Sequence, residues 1–568
     1  MRAEIRRRPP APVQDFTAGL HPVLRRLYAA RGISRAQDLD LSLARLAPVS
    51  SLEGVEQAAA LLASHRTSGR VLVIGDFDAD GATASALVVR ALRALGFAHV
   101  DFLVPDRFRF GYGLTPGIVA VAAARRPTLI ITVDNGISSI EGVDAAHALG
   151  IEVLITDHHL PGPQLPRAQA IVNPNLAGSA FASPALAGVG VAFYLVTALA
   201  KALEEPRFKP AELLDLVALG TVADLVPLDC NNRVLVAQGL KRIRAGRCVP
   251  GIRALAESAG RRLEMLSAAD LGFVVAPRLN AAGRLADMSV GIACLLADDV
   301  REAWPLAERL AKLNEERREI EQRMQLEAVE LAAAVRFDAA GAEALGLCLF
   351  DEHWHQGVVG LVAGRIKDRL HRPVIAFARG EDGTLRGSAR SVAGINIRDA
   401  IDAIATRRPG LIEKFGGHAM AAGVTLAQSH LPVFRVAFLE EITARSDPDT
   451  LAGIILSDGE LAAGELSVAT ARALAAAGPW GQGFPEPLFD GGFEIADARI
   501  VAGKHLKLVL RARGALLDAI AFGYVGSVSQ DDALRPGARV EVAYRLEANE
   551  YNGTERVQLN CQHLRVLC

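Results

Sequence analysis

Cysteine is scarce in this chain. Six residues in 568 (Cys230, Cys248, Cys294, Cys348, Cys561 and Cys568) are scattered without a C-x-x-C pair, which argues against a zinc ribbon and against a disulfide framework. A reducing cytoplasm is the compartment this usage predicts. No run of about 18 apolar residues occurs, so no membrane-spanning helix is expected. The basic opening MRAEIRRRPPAP runs into prolines without an apolar core, and an unexported, soluble protein is the expectation. Charge of one sign is also missing: 62 Lys and Arg against 64 Asp and Glu leave a net charge of −2. Any nucleic-acid contact must therefore come from local basic patches. Aromatic residues make up only 5% of the chain, so platforms for base stacking are few, and Tyr112, Tyr544 and Tyr551 are the candidates.

What the chain does have is apolar residues, 51% of the total, and more length than one core can use, so about three or four domains are expected. From Val71 to about Pro174, the segments VLVIG, HVDFLVP, TLIITV, IEVLIT and AIVNP read as strands, with Ala-rich, apolar-periodic stretches between most of them. That alternation predicts a doubly wound parallel α/β sheet. The segment 301–337 has helical spacing and many acid–base pairs three or four residues apart, as a long connecting helix would. Beyond it ALGLCLF, VIAFAR and TLRGSARS suggest a second α/β domain. From about Ile455 short alternating strands predict a small β-barrel, with Asn552-Gly553 as a hairpin turn between Val540-Val542-Tyr544-Leu546 and Val557-Leu559-Cys561.

The stretch VLVIGDFDADGATASALVV carries Asp76, Asp78, Asp80 and Gly81, the opening of a calcium-binding EF-hand loop. That reading fails because a β-branched strand, not a helix, precedes it, and because the twelfth position is Leu87 rather than a bidentate Glu. A dinucleotide site is the competing class, but the turn lacks G-x-G-x-x-G, and acids there repel a pyrophosphate. What remains is three carboxylates between a strand and a helix predicted over Ala82 to Leu95. Ligands of open parallel sheets sit at the carboxyl ends of the strands. Two further strand ends carry similar chemistry, Asp134-Asn135-Gly136 and Asp157-His158-His159, and Asp224 follows a helix-like run. Carboxylates with one or two imidazoles suit Mn²⁺ or Mg²⁺. Two such ions ~3.5–4 Å apart can clamp a phosphodiester and supply a hydroxide. For Asp134 alone a helix-capping role is an equal alternative, and paired histidines are often structural. The coincidence of three clusters at consecutive strand ends favours metal.

DFDADG, TVDNG, TDHH and GTVADLVPL resemble the successive motifs of the DHH phosphoesterase superfamily, and PRLNAAGRL, WHQGVVGLVAGR and FGGHAMAAG resemble those of its RecJ single-strand-specific exonucleases. Seven motifs in the family's order span most of the chain. The resemblance implies an N-terminal segment (1–50), a DHH catalytic domain (51–298), a connecting helix (299–337), a DHH-associated domain (338–445) and an oligonucleotide-binding (OB) barrel (455–568). It implies 5′-to-3′ degradation of single-stranded DNA to mononucleotides in repair and recombination, by a monomer working with a helicase and a single-strand-binding protein. Carried over, the metal ligands fall on Asp78, Asp80, Asp134, His158 and Asp224, with Asp134 bridging two ions and His159 on the phosphate. Many relatives place a His where this chain has Ile74, and Asp76 is the candidate replacement. The 5′-phosphate contacts fall on Arg107, Arg278, Ser388 and Arg390, with backbone amides of Gly416, Gly417 and His418 close by, as glycine permits.

In GKHLKLVLRARG, Leu506, Leu508 and Leu510 alternate with Lys507, Arg511 and Arg513. The pattern predicts a basic strip that tracks a phosphate backbone, or else an ordinary solvated strand face. Two rival readings stay open: a DHH phosphodiesterase for very short RNA or cyclic dinucleotides, which the barrel region argues against, and a DNA-binding scaffold that has lost catalysis, which the intact acids and histidines argue against.

Overall fold

In the computed structural model, residues 4–106, 109–334, 345–380, 383–446, 451, 453–512, 514–524, 534–551 and 554–567 are described. The chain forms two compact units, one of residues 7–312 with 456–568, the other of residues 1–6 with 313–455.

The first unit is built on a five-stranded sheet of Arg70–Gly75, His99–Leu103, Leu129–Val133, Glu152–Thr156 and Ala170–Val172. All neighbouring pairs are parallel. The first strand lies between the second and the third, so the strand order reverses beside it. Because successive side chains point to opposite faces, each strand needs cover on both sides. Leu72, Ile74, Ile130, Val153 and Ile155 pack with Ile118, Val119, Val143 and Ala146, from helices Pro116–Ala123 and Ile140–Ala148. The alternate residues, such as Val71, Val73, Ile131 and Val133, face helices Ala79–Ala94 and Gly188–Ala202. All five residues of Leu129–Val133 are buried. That accounts for its unbroken apolar run, since a strand covered on both faces cannot alternate. Each fully buried aliphatic chain there contributes roughly 1.5–3 kcal/mol.

The helix after the first strand begins at Ala79 rather than Ala82, because the Asp78 carboxylate accepts from the amides of Asp80 and Gly81 and so caps it. Asp80 thus stands in the first helical turn rather than in a loop.

The same unit holds a closed five-stranded barrel of Phe489–Val501, His505–Ala512, Ala515–Ala521, Arg539–Tyr551 and Thr554–Leu567. The third and fifth strands pair in parallel and the other pairs are antiparallel, as in an OB fold. Tyr551 pairs with Thr554; the turn residues Asn552 and Gly553 lie outside the described residues. The barrel strands begin only at Phe489, and three run to 13 or 14 residues. Between 454 and 488 the chain forms a short strand and the helix Val468–Ala476 instead.

The second unit carries a mixed sheet of Leu347–Phe350, Val374–Arg379, Thr384–Arg390, Ala421–Ala427 and Lys414–Gly417, in that spatial order. Only the first two strands are parallel to each other. Helices Val359–Leu370, Ile397–Arg407 and Leu431–Arg445 accompany it. Phe377 and Phe434 meet edge to face in its core, with ring centroids 5.7 Å apart. The charged segment forms one helix, Val300–Ala334. Its expected acid–base pairing includes Arg317 with Glu321, which also accepts from Arg365 at 3.0 Å.

Candidate metal centre

The strands that flank the reversal of strand order bring their carboxyl ends together, and in open parallel sheets that is where a crevice forms. Asp76, Asp78 and Asp80 follow the first strand, Asp134 the third, and Asp157, His158 and His159 the fourth. Asp224 reaches the same place from the C-terminus of helix Leu214–Ala223. Ligand atoms gather in three overlapping sets, Asp76 with Asp78 and Asp134, Asp134 with His158 and His159, and Asp80 with His158 and Asp224, each set lying within 4.8 Å. Asp134 and His158 each belong to two sets. Shared donors are what two adjacent cations need.

His158 Nε2 lies 3.1 Å from Asp134 Oδ1 and 3.5 Å from Asp224 Oδ2. The buried Asp134 Oδ1 accepts no aligned hydrogen bond. The two atoms are thus close without bonding well, the arrangement of two ligands aimed at a common point. Asp80 is held differently, its two oxygens accepting from the Gly188 and Val189 amides at 2.7 and 2.9 Å. Burial, and next the neighbouring Asp78, raise its pKa to about 7 despite those amides. Burial followed by repulsion from Asp80, Asp78 and Asp76 also pushes Asp134 and Asp224 well above the ordinary carboxylate range. Carboxylates packed this densely are reconciled by a bound cation.

His159 stands apart from this tension. Its Nδ1 is 2.7 Å from Asp157 Oδ1, and Asp157 also accepts from the Ile137 amide at 2.9 Å. Burial disfavours the imidazolium, yet the Asp157 contact outweighs it and raises the His159 pKa. Burial likewise opposes ionisation of Asp157, but the His159 bond prevails and lowers its pKa. An imidazole whose protonated form is favoured by Asp157, beside the acid cluster, is suited to a phosphate oxygen.

Glycines make the crowding possible. A Cβ on Gly188 would stand 2.5 Å from Asp134 Cβ, and one on Gly220 would stand 2.8 Å from Asp80 Oδ1. Asp134 itself adopts φ 62°, a left-handed conformation that costs roughly 1–2 kcal/mol outside glycine. Helix Ala276–Leu285 braces the acidic loop. Asn280 Oδ1 accepts from the Ala79 amide at 2.8 Å, and a Cβ on Gly283 would clash with the Phe77 carbonyl at 1.7 Å. Asn280, Gly283 and Gly188 escaped the sequence reading, while Asp157 and Asn135, named there only as members of the strand-end clusters, take supporting places, the Asn135 amide donating to the Ile74 and Val133 carbonyls. Asn280 and Gly283 stood within PRLNAAGRL and Gly188 in no singled-out motif; only contact partners reveal a supporting role. Ile74 is fully buried in its strand, and Asp76 occupies a ligand set with Asp78 and Asp134.

The other singled-out residues lie as follows. Arg278 donates to the Val274 carbonyl at 2.6 Å. In the second unit Arg390 Nη1 donates to Ser388 Oγ at 2.9 Å, and both border Gly360 in the first turn of helix Val359–Leu370. Gly417 takes φ 141°. The expectation that the His418 amide remains available for a phosphate is corrected, since it donates to the Ala421 carbonyl at 2.7 Å and closes the turn between two strands. Lys507 and Arg511 point outward while Leu506, Leu508 and Leu510 are buried, and Arg511 pairs with Glu494 at 2.9 Å. Arg107 and Arg513 lie outside the described residues. Tyr544 is excluded as a stacking platform, being 1% exposed beside Phe489 and Phe493 inside the barrel. Tyr112 is half-exposed and its hydroxyl is 3.1 Å from both the Asp134 carbonyl and His159 Nδ1, which puts it at the centre itself. The Tyr551 side chain lies outside the description.

The family model of the DHH family N-terminal domain matches residues 70–221, that of the DHHA1 domain residues 341–444, and that of the RecJ OB domain residues 457–563. A single-stranded-DNA-specific exonuclease RecJ of Escherichia coli (strain K12) is 50% identical over 568 residues, 98% of each chain. One from Thermus thermophilus is 37% identical over 95% of this chain and 74% of its own length. A crystal structure of RecJ in complex with Mn²⁺, also from Thermus thermophilus, superposes with a TM-score of 0.83 at 33% identity, covering all of this chain and 80% of its own. Identity of one residue in two, sustained from end to end, means that the chain belongs to the RecJ family of single-stranded-DNA-specific exonucleases.

Proposed function

We propose that the chain is a two-metal 5′-to-3′ exonuclease that degrades single-stranded DNA to 5′-mononucleotides. The observation that carries this is the convergence of seven acidic and imidazole side chains in three sets linked through Asp134 and His158, each of which belongs to two of them; of the seven, His159 is read as the phosphate contact. Asp76, Asp78, Asp80, Asp134, His158 and Asp224 would hold two Mn²⁺ or Mg²⁺ ions. Their oxygen-rich donor set, with the buried Asp134 Oδ1 lacking a hydrogen bond, fits hard divalent cations. Such ions supply a hydroxide at neutral pH and neutralise charge on the phosphodiester.

The chain's own groups then do the rest. His159, oriented by Asp157, would donate to a non-bridging oxygen of the scissile phosphate. Arg278 offers a guanidinium within the catalytic unit. In the other unit, Ser388, Arg390 and the first turn of helix Val359–Leu370 form a nest suited to a terminal phosphate. Gly417, Arg107 and the His418 ring would complete the contacts to the chain end. Lys507, Arg511 and Arg513 would follow the backbone along the barrel. A cytoplasmic monomer acting in repair and recombination, fed by a helicase and assisted by a single-strand-binding protein, completes the reading. Among the described residues no helix is long and apolar enough to cross a membrane.

The test is release of label from 5′- and 3′-labelled single strands with Mn²⁺. Early release of the 5′ label as mononucleotide is expected. First release of the 3′ label, or a preference for dinucleotides over long strands, overturns the reading.

A further inference from the structure

The segment Gly478-Pro-Trp-Gly-Gln-Gly-Phe-Pro485 lies far in sequence from every ligand, yet it touches the loop that carries one of them. Gly481 and Phe484 exchange backbone hydrogen bonds of 2.9 and 3.1 Å, leaving Gln482 and Gly483 at the tip of a closed turn. Gly483 has φ 72°, which favours glycine. Trp480 and Phe484 stack with centroids 5.2 Å apart and planes 10° apart. The Arg31 guanidinium lies 5.3 Å from the Trp480 ring centroid, and that of Arg233 lies 4.1 Å from that of Phe484. Arg31 is fixed in turn by two bonds of 2.9 Å to the buried Asp458. The turn is therefore held rigid on both flanks.

Its tip meets residues 225–229. The Leu228 amide donates to the Gln482 carbonyl at 2.7 Å. A Cβ on Gly481 would stand 2.7 Å from Leu228 Cδ1, and one on Gly483 would stand 3.2 Å from Pro227 Cβ. Asp224 lies four residues before Leu228, between the end of helix Leu214–Ala223 and Asp229, which caps helix Cys230–Arg244. Leu225 takes φ 60°, so this short connection is bent and depends on outside support to keep one geometry.

We infer that the turn Gly481–Phe484 is a positioning element of the metal centre, fixing the Asp224 loop through the Gln482 carbonyl and the two close glycines; this rests on the reading of Asp224 as a ligand. The barrel strand that starts at Phe489 follows within a few residues. The chain that forms the barrel thus first braces the catalytic loop.

The test is calorimetric titration of the metal-free full-length protein with Mn²⁺ in the absence of DNA, beside the Mn²⁺ dependence of hydrolysis. Gly483→Val strains the turn and crowds Pro227, and should weaken Mn²⁺ binding on the order of 10-fold, the effect of losing an outer support. KM for a short 5′-phosphorylated strand should stay within about two-fold at saturating Mn²⁺, because the turn touches no substrate group. Gly481→Ala should act in the same direction more weakly, and Leu228→Ala in the same chain should restore affinity by opening the space. Asp224→Asn is the reference. If it leaves Mn²⁺ binding unchanged, the metal assignment fails. If it weakens binding while folded Gly483→Val and Gly481→Ala proteins bind Mn²⁺ normally, the positioning role fails alone. Should Gly483→Val not fold, Gly481→Ala and its rescue decide the matter.

Discussion

Asp80 shows how a single side chain ties the metal centre to stability. Its folded pKa of about 7 lies above the ordinary value of 3.8, so ionisation costs the folded state. At low pH both states hold the proton. Between about pH 4 and 7 only the unfolded state releases it, and stability falls; above about 7 the full penalty is present. Metal-free Asp80→Asn protein should therefore lose less stability than the native chain between pH 5 and 8, as measured by urea unfolding. The Asn side chain weakens one amide bond at every pH, an offset that leaves the slope untouched. Parallel curves across that range contradict the argument. Arg390 gives a second prediction at this scale. If it holds a terminal phosphate, Arg390→Ala should lose roughly 1.5–3 kcal/mol of binding, and less on strands with a 5′-hydroxyl. Equal losses on both strands assign it to structure.

Among elements, the helix Gly188–Ala202 matters for what its first turn lacks. Gly188→Ala inserts a methyl into contact with Asp134 and should reduce metal affinity and hydrolysis about 10-fold or more. Gly364→Ala, in a helix interior with nothing within 4 Å of the added methyl, should instead stabilise by roughly 0.5–1 kcal/mol. Both are read by Mn²⁺-dependent rates and denaturant midpoints. The barrel strand His505–Ala512 permits a test of backbone tracking. Arg511 must leave Glu494, an exposed pair worth at most about 1 kcal/mol, to meet a phosphate. Lys507→Ala with Arg511→Ala should flatten the dependence of log affinity on log salt by ~0.7 per contact for single strands. An unchanged slope in filter binding means the strip is an ordinary solvated face.

At the scale of the molecule, the C-terminal region is not an appendage. Residues 456–568 belong to one compact unit with residues 7–312. Tyr28 donates to the Ala477 carbonyl at 2.9 Å, and Arg31 is buried against Asp458. Truncation after Thr450 would remove Asp458, Trp480 and the Ala477 and Pro485 carbonyls together, so that Arg31 and Tyr28 lose their partners and the apolar surface beneath them is exposed to water. The truncated protein should melt at a lower temperature than the full chain by circular dichroism, with weakened Mn²⁺ binding. An unchanged melting temperature would show that the barrel region is separable.

The strands of the parallel sheet were legible because apolar runs such as TLIITV have one physical explanation, burial on both faces, and the acids were legible because they stand where such strands end. The ends of elements were less so. Ala79 begins its helix because Asp78 caps it, and a carboxylate that can cap or bind metal looks the same in a sequence. Tyr544 looked like a platform because an aromatic on an alternating strand can face either way; barrel closure turned it inward. The His418 amide was spent on a turn that only strand pairing defines. Asn280, Gly188 and the Gly481–Phe484 turn act through residues about 50 to 260 positions away, and no local pattern records such a partner. Residue type and period fixed the chemistry available at each strand end. Which side chains converge, and what holds them, was decided only by the packing of distant segments, because close approach and desolvation belong to three-dimensional neighbours rather than to sequence neighbours.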